Sequence, residues 1–207
     1  HTLCEDEYAY DVSLRLSRTL MEQGATVHVI IQDQDGIRDG KYLACDTDEV
    51  CLGGAKVARS QKEKLYQRTN KVNSLYAKHK AEGVKEQYAM FIHVDSNHKN
   101  KRMDVYFFHH EKSKNGKKLA ESIHKTFQKK YKKYQPNRTY TGTFTTRTSL
   151  YLVKKTHPAM TFIEIGNIRN KKDQRRILDS DNRQALAKWI SEGVLLDFES
   201  GEIGRIR

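Results

Sequence analysis

Long hydrophobic runs are missing from this chain. No apolar stretch approaches the ~18 residues that a membrane-crossing helix needs. Proline is nearly absent as well, with only Pro136 and Pro158, each ahead of a strand-like segment. Three cysteines, Cys4, Cys45 and Cys51, are too few and wrongly spaced for a disulfide framework or a CxxC metal site. A Cys45–Cys51 bridge across the acidic stretch Asp46-Thr47-Asp48-Glu49-Val50 is one pairing that an oxidising compartment would allow. There is no internal repeat and no low-complexity tract. No signal peptide is visible, and the chain opens at His1 rather than at methionine, so an upstream segment is expected outside it.

What is present is charge. The formal net charge of +12 over 207 residues favours polyanionic partners, whether nucleic acid, anionic lipid or an acidic cell-wall polymer, without choosing among them. The basic run at 125–133 does not decide for nucleic acid. Its lysines fall away from the Phe127, Tyr131 and Tyr134 stripe, which is the pattern of a helix that buries aromatics and solvates cations. No helix-turn-helix, zinc-finger or RNP-type pattern accompanies it.

The length suits one domain over residues 1–207 with a sizeable core. Ala9, Val12, Leu16 and Leu20 make a helical stripe that Gly24 can stop. Residues 25–31 read as a strand, and 33–54 as a long Asp- and Gly-rich surface loop within an insertion reaching about residue 59. That loop exceeds the usual connection of about 4–6 residues, which suggests mobility and a regulatory or substrate-contacting role. Residues 60–81 return to helix, with Leu65, Val72, Leu75 and Tyr76 inward. Strands follow at 88–94 and 103–108, joined by a polar connection at 97–101. A long helix carries Leu119, Ile123, Phe127, Tyr131 and Tyr134 at three- and four-residue spacing. Strands at 148–153 and 159–165 and a helix over 181–195, with Leu186, Trp189, Ile190 and Val194 inward, complete the chain. Helices between strands predict an α/β fold, a mainly parallel twisted sheet with helices on both faces.

The segment from Thr161 to Asn170 carries the strongest chemical signal. Glu164 closes a strand-like run, and Gly166 permits a sharp exit after it. A glutamate at the C-terminal end of a strand lies where open α/β sheets hold their ligands; a salt-bridged strand-end glutamate is the structural alternative.

Four segments together resemble the zinc-dependent N-acetylmuramoyl-L-alanine amidases of bacterial cell walls. Phe162-Ile163-Glu164-Ile165-Gly166-Asn167-Ile168-Arg169-Asn170 is similar to the family's xLxExGFxSN at the Glu, the Gly and the final Asn, with Asn167 for Phe and Arg169 for Ser. Ile92-His93-Val94-Asp95-Ser96 resembles the strand end that carries a zinc-binding histidine, with Phe91 where serine is common. The stretch from Glu5 to Leu16 resembles the helix EKxxxLxIAxxL, whose first Glu is a zinc ligand. Aligning Glu5 keeps Ser13 and Leu16 at the small and buried positions, and Glu7 is the reserve. Leu65-Tyr66-Gln67-Arg68-Thr69-Asn70-Lys71-Val72-Asn73 follows LxxRxxxAN with Val72 for Ala. The family's opening strand ending in Gly-His-Gly-Gly, with a further zinc ligand, has no counterpart here and is expected upstream.

The resemblance implies a zinc ion held by Glu5 and His93, with Glu164 as general base, and cleavage of the amide joining N-acetylmuramic acid to L-alanine. It also implies peptidoglycan as partner, a periplasmic or secreted location, no nucleic acid, and room for a regulatory activator protein. A catalytically inactive peptidoglycan-binding module of the same fold, or a basic nucleic-acid-binding protein, would be the alternatives.

Overall fold

The computed structural model describes residues 2–96 and 100–203. His1 and residues 97–99 of the expected polar connection lie outside the described residues. In chain order the elements are α1 (Glu5–Glu22), β1 (Ile31–Gln32), β2 (Val50–Cys51), β3 (Ala55–Lys56), α2 (Gln61–Ala81), β4 (Tyr88–Asp95) and β5 (Tyr106–His109). Then come α3 (Lys114–Tyr134), β6 (Thr143–Thr146), α4 (Tyr151–Lys155), β7 (Ala159–Asn167), α5 (Lys171–Leu178) and α6 (Ser180–Ile203).

Local chemistry explains where several helices begin. Ser60 accepts a bond from Glu63 N and donates its hydroxyl to the Glu63 carboxylate, a reciprocal cap for α2. Ser113 accepts from Gly116 N at the start of α3. Asn170 does the same for α5 by accepting from Lys172 N and Asp173 N.

The central sheet runs β4-β7-β5-β6. β4 pairs parallel with β7, and β5 parallel with β6, while β5 meets β7 antiparallel. The sheet is therefore mixed and mostly parallel, in an α/β domain. One face carries Val94, Phe107, Ile163 and Ile165 into a core shared with α1, α3 and α6. At Gly193 of α6 a Cβ would come 2.4 Å from Ile123 Cα of α3, so glycine sets how closely those helices approach. The other face carries Ala89, Met160, Phe162 and Phe108 into a second core with Val72 of α2 and Leu152 and Val153 of α4.

Several expectations need correction. Of the strand expected at 25–31 only Ile31 is assigned, in the two-residue β1; apolar alternation does not make a strand without a neighbour to pair with. β1, β2 and β3 form a separate small antiparallel sheet, so the 33–54 loop contains one short strand. Of the strand expected at 148–153, residues 148–150 form a turn and 151–153 begin α4, because a short apolar run has no periodicity that separates strand from helix. The 103–108 strand begins only at Tyr106, after Asp104 at φ 56° breaks the extended run. Tyr134 is not inward but 57% exposed, and it lies flat against Trp189. Cys45 pairs with Cys4, not with Cys51, which is a buried free thiol.

Candidate active site

The expected site residues come from three elements. His93 and Glu164 are direct register partners across the parallel pair β4–β7, and Tyr106 of β5 is the partner of Glu164 on its other side. Partners in register project to the same face, so His93, Glu164 and Tyr106 form one row there. The row below it is Phe91, Phe162 and Phe108. The His93 ring stacks on Phe162 at 4.3 Å between centroids with a 12° interplanar angle. Glu5 opens α1, directly after Cys4, which is disulfide-bonded to Cys45. The loop is thus tied covalently beside Glu5.

Immediately past the row, the register changes from His93↔Glu164 to Asp95↔Asn167, leaving Ile165 and Gly166 opposite Val94. Such a bulge bends the strand and re-aims what precedes it. α5 holds it in place: Arg176 Nη2 donates to Ile165 O at 2.6 Å, and Asp173 accepts from Asn167 N and Met103 N. Gly166 has φ +154°, and a Cβ there would meet Arg176 Nη2 at 2.7 Å. The φ, which L side chains rarely adopt, makes this a glycine position, and the crowding adds to it.

The electrostatics of the row are unusual. Glu164 is 9% exposed, and its Oε2 has no hydrogen-bond partner. Burial pushes its pKa up to about 8; the nearby charges of Asp95 and Glu5 add to the rise, and Arg147 opposes it. His93 is held down to about 4, chiefly by desolvation and then by the Arg68 guanidinium. Its imidazole is therefore neutral at physiological pH, the form that can donate a lone pair to a metal. Arg68 itself has a buried Nε without a partner, and burial lowers its pKa. Glu49 and Cys51, on and beside the loop, lie close enough to act on it. The loop therefore borders the site both at Cys45 and near Arg68.

Glu7 lies elsewhere. It is buried, bonded by Arg38 Nη2 at 2.6 Å, and it accepts from Asp46 N. With Asp33, Asp35 and Asp46 it forms a group of carboxylates whose oxygens lie within 4.8 Å of one another, with Arg38 pairing both Glu7 and Asp35. The sequence pattern singled out neither Asp95 nor Arg147 as functional. Asp95 was legible in principle, two residues beyond His93 on the same strand. Arg147 sits in a polar Thr-Thr-Arg-Thr stretch with no signal of its own.

Comparison with known proteins gives a consistent picture. A family model described as N-acetylmuramoyl-L-alanine amidase matches residues 1–195. None of the curated proteins matches the chain. Among solved structures, the catalytic domain of CwlV, an N-acetylmuramoyl-L-alanine amidase from Bacillus (Paenibacillus) polymyxa var. colistinus, aligns with TM-score 0.64 and 16% identity, covering 94% of this chain and 85% of that one. The CwlD amidase of Clostridioides difficile, solved in complex with the GerS lipoprotein, gives 0.66 and 14%, covering 95% and 87%. An N-acetylmuramyl-L-alanine amidase from Mycobacterium smegmatis gives 0.67 and 15%, covering 95% and 77%. At these identities the structural likeness speaks for the fold.

Proposed function

The chain belongs to the N-acetylmuramoyl-L-alanine amidase family, an enzyme family of the cell wall, and on that premise we propose that it hydrolyses peptidoglycan at the amide between the lactyl group of N-acetylmuramic acid and L-alanine, using zinc held by Glu5 and His93 and Glu164 as general base. The observation that carries this reading is the register pairing of a neutral histidine with a buried glutamate whose oxygen has no partner, at the C-terminal end of parallel strands. A structural strand-end glutamate would be expected to have an ion-pair partner, as the buried acids Glu7, Asp11, Asp104 and Asp173 do.

The donor set suits the metal. One imidazole nitrogen and one carboxylate are borderline ligands of the kind zinc takes, whereas the Glu7, Asp33, Asp35 and Asp46 group offers oxygen alone and already contains the Arg38 counter-charge. The engagement of Glu7 with Arg38 also supports Glu5 as the ligand. When bound, zinc would supply Lewis acidity, polarising the scissile carbonyl and lowering the pKa of water. Glu164 then accepts a proton from the attacking water as its oxygen adds to the lactyl carbonyl carbon. It returns that proton to the alanine nitrogen as the carbon–nitrogen bond breaks. Positive charge among Glu5, His93 and Glu164 would draw the glutamate back towards the ionised form that this step needs. The Phe162 and Phe108 row forms an apolar floor that keeps the base desolvated.

An extracytoplasmic location agrees with the Cys4–Cys45 disulfide. A regulatory protein partner is part of the proposal, since the C. difficile relative was solved with a lipoprotein bound. The test is Glu164→Gln, which keeps shape and hydrogen-bonding capacity but removes the base. Release of stem peptides from purified peptidoglycan should fall about 10²–10⁴-fold, with metal content and the thermal melt retained. Cleavage at the parent rate would remove Glu164 from the mechanism, and a folded, metal-free, active protein would remove the zinc.

A further inference from the structure

We propose that Arg147 is a specificity-determining residue that receives a carboxylate of the stem peptide on the leaving-group side of the scissile amide. The substrate identity rests on the amidase reading; the anion site rests on the arrangement of this side chain.

Half of the described guanidiniums are spoken for. Arg15, Arg38, Arg102, Arg138, Arg176 and Arg183 each meet a carboxylate. Arg147 is exposed and meets none among the described residues, although it stands at the edge of the candidate site. It follows the last residue of β6, and its backbone N–H donates to His109 O, so its Cα is anchored to the sheet. Its guanidinium carbon lies 5.1 Å from the centroid of the Phe108 ring. A cation–π contact of this kind holds the guanidinium over the ring while leaving its N–H donors free.

The ring beneath it belongs to the site. Phe108 is the register partner of Phe162, on which His93 stacks, and Tyr106, two residues earlier on the same strand, is the partner of Glu164. Arg147 is thus a neighbour of the Glu164 row, and the glutamate senses its charge. Yet the two form no ion pair. A fixed cation beside a reactive carboxylate, bonded neither to it nor to any other acid, is placed to hold an incoming anion.

The chemistry of the substrate says which anion. N-acetylmuramic acid has its own carboxyl consumed in the scissile amide, so the glycan side brings no carboxylate to this position. On the peptide side, the residue after L-alanine carries either a free α-carboxylate, as D-glutamate, or an amide, as D-isoglutamine. A planar carboxylate matches the two-pronged guanidinium; a carboxamide presents an NH₂ group to the same donors. Arg147 therefore selects the acid form.

The experiment uses the full chain carrying Glu164→Gln, which halts turnover, and two probes, N-acetylmuramoyl-tripeptide with D-glutamate and with D-isoglutamine at the second position. Calorimetry should show the acid bound about tenfold more tightly than the amide, a preference that shrinks as salt screens the contact. Adding Arg147→Gln should bring the ratio to within about twofold by weakening the acid alone, and Arg147→Lys should restore part of it. Equal weakening of both probes, or a parent protein without preference, overturns the proposal. Turnover of the same probes by the unsubstituted protein is scored separately. Preference in binding without any cleavage would keep the anion site and sink the amidase reading.

Discussion

Two buried carboxylates of this protein sit in opposite surroundings. Asp104, 0% exposed, accepts from Thr141 N and Oγ1 at 2.8 Å each, from Arg102 and Arg176 at 3.2 Å each, and from Arg138. Glu164, on β7, has an oxygen that accepts from nothing, and two guanidiniums nearby, Arg68 and Arg147, make no ion pair among the described residues. The first arrangement saturates charge and fixes loops to the sheet. The second leaves charge and lone pairs unanswered around a desolvated carboxyl, which costs stability and is what a site awaiting ligands requires. One network even serves the other: Arg176 bonds Asp104 with one end and Ile165 O, next to Glu164, with the other.

The contrast is sharpened by removing each partner in turn. Asp104→Ala should have the largest effect, a loss of about 3–5 kcal/mol in chemical denaturation, because it removes the buried acceptor shared by three part-buried guanidiniums and by Thr141. A loss below about 1 kcal/mol would mean that the arginines relax into water and that the saturation is nominal. Next comes the disulfide beside Glu5. Cys45→Ser opens a cross-link spanning 41 residues and should cost about 2–4 kcal/mol. Metal affinity should fall with it if the loop holds Glu5 in place.

A pH-dependent effect follows, in metal-free protein. Burial holds the Glu164 pKa at about 8 in the folded state against 4.5 for the free carboxyl, so the folded state binds the extra proton. Its contribution is fully present below pH 4.5 and is lost as pH rises towards 8, by something on the order of 5 kcal/mol. The Glu164→Gln protein should show no such decline, and identical pH profiles for the two would place the titration elsewhere. The smallest effect belongs to the surface. The ion pair of Lys130 with Glu192, at 2.6 Å, joins two part-exposed side chains, and Lys130→Met should change stability by less than about 1 kcal/mol.

The division between legible and illegible in this sequence follows the same physics. α1, α3 and the first part of α6 announce themselves because each presents a stripe at three- and four-residue spacing to one core. α5 is silent: Lys171–Leu178 is almost entirely polar, and what it buries is Asp173 and Ile177, one of them a charge that accepts from Met103 N, far away in sequence, as well as from nearby Asn167 N. β6 reads Thr-Phe-Thr-Thr on an edge, with too little apolar alternation to notice. The reversed direction of β5 against β7 leaves no mark, since alternation is the same in either sense. His93 and Glu164 were found through motif context, and their adjacency followed from parallel pairing. Arg147 could not be found that way, because its meaning lies in Phe108, a residue from another strand. Nor could the cysteine pairing, which depends on where α1 begins relative to the loop.

That pairing makes maturation a race between thiols. Cys45 can meet Cys51, six positions away, or Cys4, 41 positions away. In an unfolded chain the longer closure is disfavoured by roughly 1.7 kcal/mol, more than a tenfold handicap for the native bond. Folding reverses the odds by taking Cys51 out of play, since at 2% exposure within β2 it is shielded from exchange. An oxidant that arrives before the small sheet has formed would therefore capture the wrong pair, leaving Cys4 reduced and the loop untethered from Glu5. Timing, or a catalyst that reshuffles disulfides, decides what fraction of molecules ever reach the competent form.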